Sequence, residues 1–284
     1  MKMDILLPIV TYPDPTPHAA LGQTLALAAR IAVRVSALVQ EVDIAPIHSA
    51  LGEAVLGVSR MAADAEAASR TRAADIKIWM EKRAEGLDFA IKVQTLRCRP
   101  EGFAEALMPA ARRHDLTIMV LDANDPQRRA DTEALIFGSG SPVVVVPAVE
   151  VPTSAVKEPT APWHIALAWD GSRAASRALR DAMPILALAD IVSIITVEDD
   201  KAIAASDIAG VKELLEHHGI RAKHLARIRG AAPIGETLQA IAVGAGADLL
   251  VMGAYGHNRL QEFVLGGATR TILRAPRLPI LLAH

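Results

Sequence analysis

The chain spells the same order of strands and helices twice, and that alternation leaves few architectures open. Residues 5–10 are a short apolar run, the pattern of a buried strand, followed by a Pro-rich turn over 11–17. Then come a helix over 18–33, a strand over 33–42, a long Ala- and charge-rich helix over 58–85, and a strand over 89–96. A helix over 103–114 with Pro109 inside, a strand over 116–121 and a strand over 143–146 complete the first half, with the helix between the last two only weakly marked. The second half starts again with a strand over 165–169, a helix over 173–188 and a strand over 191–197. It continues with a helix over 208–218 closed by Gly219, a strand over 222–228, a helix over 235–245, a strand over 249–252, a helix over 268–273 and a strand over 280–282. Strands separated by helices imply parallel sheets with right-handed crossovers.

An ungapped match supports duplication. Arg99-Pro100-Glu101-Gly102 through Asp115-Leu116 runs alongside Ala232-Pro233-Ile234-Gly235 through Asp248-Leu249. Pro100 meets Pro233, Gly102 meets Gly235 and Asp115 meets Asp248. Farther on, Pro142-Val143-Val144 meets Pro279-Ile280-Leu281. Between the halves, residues 148–162 are rich in Pro, Ser, Thr and Lys without periodicity, the composition of a linker. The expected organisation is a domain over 1–147, a linker over 148–162 and a domain over 163–284, each a five-stranded parallel α/β sandwich. The length of 284 residues agrees, at roughly 150 residues per domain.

Composition narrows the function. Hydrophobic residues are 51% of the chain but aromatics only 3%, so the core is built from Ala, Leu, Ile and Val packed in layers. A net charge of −2 disfavours nucleic acid as a partner. The one cysteine, Cys98, has no partner for an internal disulfide, which fits a reducing compartment. The start, Met1-Lys2-Met3-Asp4, lacks a signal peptide's basic opening and long apolar run. The most apolar long stretch, 25–39, contains Arg30 and Arg34 and is too short to span a bilayer. The expectation is a soluble, cytoplasmic protein with no membrane partner.

In open α/β sheets, ligands sit beyond the carboxyl ends of strands, where strand order reverses. Two such loops stand out in the second half. The first is Asp170-Gly171-Ser172-Arg173. Its carboxylate can accept hydrogen bonds from a ribose or an adenine amine, Gly171 permits a sharp turn, and Ser172 can cap the next helix. The second begins at Gly253-Ala-Tyr-Gly256 and, after nine residues, reaches Gly266-Gly267-Ala268-Thr269 at a helix start. Glycines let a main chain approach phosphates closely, and a helix N-terminus adds partial positive charge. Each feature also has a plain structural reading, as a helix cap or a turn. Together they mark a backbone cradle for phosphates.

Gly253-x2-Gly256-x9-Gly266 resembles the phosphate loop of nucleotide-binding universal stress proteins. Asp170 matches the acidic residue ending that family's first strand, Gly230-Ala231-Ala232-Pro233 is similar to the start of its third helix, and residues 246–253 resemble its fourth strand. The resemblance covers the second half and, more weakly, the first. It implies a Rossmann-like, adenine nucleotide alpha-hydrolase-like fold, paired in tandem or as a homodimer, and a regulatory role in stress. It also implies ATP or a related adenine nucleotide, with Mg²⁺ as an accompanying ion. The nucleotide would contact Asp170, Val197, Gly253, Gly256, Gly266, Gly267 and Ala268, with Ala168, His257, Arg259 and Thr269 as further candidates. One departure matters. The family has Ser or Thr directly after the third glycine, and here that position is Gly267. A neutral hydrogen bond is worth about 0.5–1.5 kcal/mol, so the loss is at most roughly tenfold in affinity.

In the first half Val10 stands at the place of Asp170, Val120 at that of Gly253 and Ala123 at that of Gly256. Asp122, Asp125 and Asp131 bring negative charge where a phosphate would sit, so this half is expected to pair with the second rather than bind nucleotide. His217, His218 and His224 share no clear ligand face, and no metal site is expected. Glu198-Asp199-Asp200 follows a strand end and has two readings, a site for Mg²⁺ shared with phosphate oxygens or, more commonly for such a run, a solvated loop. With no Walker-type motif, no Ser-His-Asp ordering and no lysine in the glycine loop, the chain is at most a slow ATPase. The leading reading is a stress-response regulator binding an adenine nucleotide in its second half. The alternative is an interaction protein of the same fold without nucleotide.

Overall fold

A computed structural model describes residues 2–45, 57–148, 161–254 and 267–284. In the first half, β1 (Met3–Ile9), α1 (His18–Ile31), β2 (Ala32–Val42), α2 (Val58–Ala84), β3 (Ala90–Cys98), α3 (Phe103–Ala111), β4 (Leu116–Leu121), α4 (Pro126–Gly138) and β5 (Val143–Pro147) follow one another. The second half comprises β6 (His164–Ala168), α5 (Arg173–Leu186), β7 (Ile191–Val197), α6 (Ala205–His217), β8 (Ala222–Arg227), α7 (Ile234–Gly244), β9 (Leu249–Gly253), α8 (Gly267–Arg274) and β10 (Ile280–Ala283). The helices hold where the sequence carries a helical stripe. In α2 the buried residues are Ser69, Ala73, Ile76 and Met80, one face at helical spacing. Gly219, at φ +75°, ends α6 as expected: its N–H donates to Glu216 and that of Ile220 to Leu215, the left-handed close of a helix.

The weakly marked helix between β4 and β5 is a full thirteen-residue helix. Its polar sequence hides the signal because its start is set by chemistry rather than hydrophobicity. Asp125 caps it, accepting from the Arg128 N–H at 2.9 Å, and Pro126 opens the first turn.

The strands form one sheet in the order β3-β2-β1-β4-β5-β10-β9-β6-β7-β8. All neighbours are parallel except β5 and β10, which meet antiparallel through Val145–Ile280, Val144–Leu281 and Val143–Leu282. The sequence match makes Val144 the counterpart of Leu281, and these two pair with each other. Val143 pairs with the counterpart of Val145, and Val145 with that of Val143, so the halves meet about a pseudo-twofold axis at this point. A second repeated device supports the duplication. Asp115 accepts from the Asp4 N–H at 2.9 Å, and Asp248 accepts from the His164 N–H at 2.9 Å. In each half the backbone returns the bond, Asp115 N–H to Asp4 O and Asp248 N–H to His164 O.

Helices cover both faces of the sheet. One core packs α1, α2, α5 and α6, and the other α3, α4, α7 and α8. Alternate strand residues serve the two: Leu116 and Ile118 face the first, Met119 and Leu121 the second. Across the seam the Arg30 guanidinium lies 5.5 Å over the Trp163 ring and donates to Ala161 O at 3.1 Å. Among the described residues no helix is long and apolar enough to cross a membrane.

Candidate functional site

The strand order places the reversal of the second half between β6 and β9. A cavity of about 320 Å³ opens there, at the carboxyl ends of β6, β7 and β9, where an open α/β sheet takes its ligand. Its walls include Ala168 to Asp170 beyond β6, Val197 ending β7, Met252 and Gly253 ending β9, and Gly267 to Thr269 opening α8. The structure therefore brings Ala168, Asp170, Val197, Gly253, Gly267, Ala268 and Thr269 together around one hollow. Gly256, Gly266, His257 and Arg259 lie outside the described residues, as does most of the linker, 149–160.

Asp170 is fixed from two directions. One carboxylate oxygen accepts from the Ser172 N–H at 3.0 Å, across a turn that Gly171 makes at φ +71°. The other accepts from the Lys201 ammonium. Burial, the largest single influence, pushes the carboxyl toward neutrality. The bonds from Lys201 and Ser172 together outweigh it, so Asp170 is held ionised, below the usual carboxylate range. Ser172 caps α5, its hydroxyl accepting from the Ala175 N–H at 3.1 Å.

Val197 presents backbone. Glu198 N–H donates outward to Arg227, and groups alternate sides along a parallel ladder. The main-chain polar groups of Val197 therefore face the β6 side, toward Asp170. Gly267 and Ala268 open α8, whose first-turn N–H groups have no partner within the helix. The Trp169 indole N–H is buried and has no hydrogen-bond partner among the described residues, at the cavity's edge. A donor in that position suits a ligand acceptor or a bound water. The lining thus fits a molecule with a donor-bearing head near Asp170 and an anionic tail near α8. Among the described residues no group of three or more His, Cys, Asp or Glu could hold a metal ion.

Two features of the site were not visible in the sequence. Gly253 has a steric reason to be glycine: a Cβ there would lie 2.4 Å from Ala174 C, 2.5 Å from Ala175 N and 2.7 Å from Ala174 O. The end of β9 touches the main chain of α5's first turn. At Gly267 no atom of the described residues lies within 4 Å of where a Cβ would stand, so none of them gives the departure from the family's hydroxyl residue a packing cause. The second feature is Lys201. It sits beyond β7, outside the glycine loop, so a search for lysines within that loop passes it by. The only signal was its place a few residues past a strand next to β6.

The Glu198-Asp199-Asp200 run is more than a solvated loop. Asp199 accepts from the Arg229 and Gly230 N–H groups at 2.8 and 3.0 Å, and Asp200 pairs with Arg229 at 3.8 Å. These contacts tie the loop bearing Lys201 to the loop before α7. His224 bonds the Thr196 hydroxyl at 2.9 Å.

The matching place in the first half is packed with its own side chains. Val10 is buried, and its N–H donates to the Thr16 hydroxyl. The Thr11 hydroxyl donates to Gln40 O at 2.9 Å and lies 2.7 Å from that of Ser69. Arg72 donates to Thr11 O and Pro13 O. The three aspartates are not a free acidic surface. Asp122 accepts from the Asn124 N–H at 2.8 Å, Asp125 caps α4, and Asp131 is only 5% exposed. Counted back from the matched prolines, Asp131 stands where Ala268 stands in the second half. Burial pushes its carboxyl up to about 6, against the bond it accepts from Gln127 at 3.1 Å.

Comparison with known proteins shows what the chain is similar to. Residues 163–284 match the sequence profile of the universal stress protein family. Over these residues the chain is similar to the universal stress proteins. Over 125 residues the chain is 30% identical to universal stress protein Slr1230 of Synechocystis sp., 41% of each chain being covered. It thus spans about two fifths of that relative's length. The fold likeness extends to the first half. A universal stress protein of Archaeoglobus fulgidus superposes with a TM-score of 0.68 at 15% identity, covering 99% of this chain and 96% of that one. A functionally unknown protein of Pseudomonas aeruginosa superposes at 0.53 with 14% identity, covering 98% and 92%.

Proposed function

We propose that the second half binds an adenine nucleotide, ATP or a relative, in the cavity between β6 and β9, and that the protein acts as a stress-response regulator through that ligand. The observation that carries this reading is that an ionised, half-buried Asp170 and the N-terminus of α8 line the same hollow. Asp170 takes the ribose hydroxyls or the adenine amine, the Val197 backbone meets the base, and the Gly267 and Ala268 amides receive phosphate oxygens. Mg²⁺ would travel with the phosphates.

The proposal includes a tandem of two domains, 1–147 and 163–284, joined by 148–162. The first half contributes its sheet edge rather than a second nucleotide, because its own side chains fill the corresponding place. A cytoplasmic setting and pairing into a further homodimer belong to the same reading. Thermal unfolding with and without millimolar Mg-ATP tests it. A ligand bound a hundredfold above its dissociation constant adds about 2.7 kcal/mol of stability, a readily measured rise in melting temperature. A folded protein with no shift would refute the nucleotide and favour the second reading, an interaction protein of the same fold, for which the missing hydroxyl at Gly267 is the specific support.

A further inference from the structure

Asp170 cannot serve a ligand and Lys201 equally. In the structure the ammonium of Lys201 donates to one Asp170 oxygen, and both side chains border the same cavity as Gly267 and Ala268. A ribose hydroxyl or an adenine amine that reaches Asp170 brings its own donor and competes for that oxygen. The displaced ammonium must then find another partner. The neighbouring Asp200 is engaged with Arg229 at 3.8 Å, and Asp199 with two backbone N–H groups.

Resting on the nucleotide reading above, we propose that Lys201 is a specificity-determining residue that makes this cavity select phosphorylated nucleosides over unphosphorylated ones. A bare nucleoside takes the carboxylate from the ammonium and returns nothing, leaving a partly desolvated cation without a counter-charge, which is unfavourable. A nucleotide takes the carboxylate with its sugar or base and brings phosphate oxygens into the cavity that Lys201 also lines. The ion pair is exchanged rather than broken. Discrimination thus comes from a penalty on the wrong ligand as well as a contact with the right one. The loop bearing Lys201 is anchored by Asp199 and Asp200, while the lysine's flexible four-carbon stem allows the head to change partners.

The experiment is a binding titration of ATP, AMP and adenosine against the full-length protein, Lys201→Met and Lys201→Arg, with thermal unfolding of each to show that it is folded. A hydrogen bond to a charged group is worth about 10- to 100-fold in affinity. Wild type is expected to prefer ATP over adenosine by at least that factor. Lys201→Met should lose most of the preference, with ATP weakened and adenosine unchanged or tighter, and Lys201→Arg should restore it in large part. If wild type binds ATP but Lys201→Met keeps the same ATP-to-adenosine ratio, the role of Lys201 is overturned and the nucleotide site stands. If wild type binds none of the three, the nucleotide reading falls and this inference with it.

Discussion

Replacing Gly253 by alanine should destabilise the fold whether or not a ligand is present. The added Cβ would sit 2.4 to 2.7 Å from three main-chain atoms of Ala174 and Ala175. Ordinary carbon contacts begin near 3.5 Å, so a gap of about 1 Å must open between the end of β9 and the first turn of α5. Neither side can yield by changing a rotamer, since both are backbone. Overpacking typically costs about 1–3 kcal/mol, and rigid partners place this case toward the upper end. For a chain of this size that lowers the melting temperature by roughly 2–4 °C per kcal/mol. Gly267→Ala is the matched control. It adds the same methyl at the start of α8, where no atom of the described residues lies within 4 Å, and should change stability by no more than about 0.5 kcal/mol. The assay is chemical denaturation of both variants and wild type without nucleotide. If Gly253→Ala is as stable as wild type, the close approach of β9 to α5 is wrong, and the glycine would be explained by ligand contact alone.

Other consequences are open to direct measurement. Gly267→Ser places a hydroxyl at the open N-terminus of α8, and ATP should bind up to about tenfold tighter in an equilibrium titration, the worth of one neutral hydrogen bond; weaker binding would mean that phosphate does not reach α8. Asp131 is pushed up to about 6 from an ordinary 3.8, so the folded state holds its proton more tightly than the unfolded. Its contribution therefore favours folding below about pH 4 and is lost as pH rises to about 6. Asp131→Asn should be more stable than wild type at pH 7, on the order of 1–3 kcal/mol, with the advantage gone below about pH 4 in pH-dependent denaturation.

How much of this was readable in the chain follows from how local each signal is. Strand and helix alternation, the C-terminal Gly219 of α6 and the duplicated Pro-x-Gly and Asp positions all depend on neighbours within a few residues, so periodicity and turn chemistry expose them. The helix α4 is weakly marked because its buried face carries Arg128, Asp131 and Thr132 beside Leu135 and Ile136, and its start depends on Asp125 and Pro126 rather than on an apolar stripe. The three aspartates of that region were legible as charges but not as what they do. Capping, turn formation and burial depend on where each carboxylate lies relative to the backbone.

The sequence by itself determined the alternation of strands and helices in both halves and the strand ends where a ligand would sit, because hydrophobic period and glycine placement act through the local chain. Only the tertiary structure decided the rest. It joined the repeats through antiparallel β5 and β10 and made Gly253 a packing necessity against a helix almost eighty positions earlier. It filled the first half's site with Thr11, Ser69 and Arg72. It also brought Lys201 to Asp170. The reason is common to all four: each is a contact between atoms distant along the chain, and no local pattern specifies which of many compatible surfaces will meet.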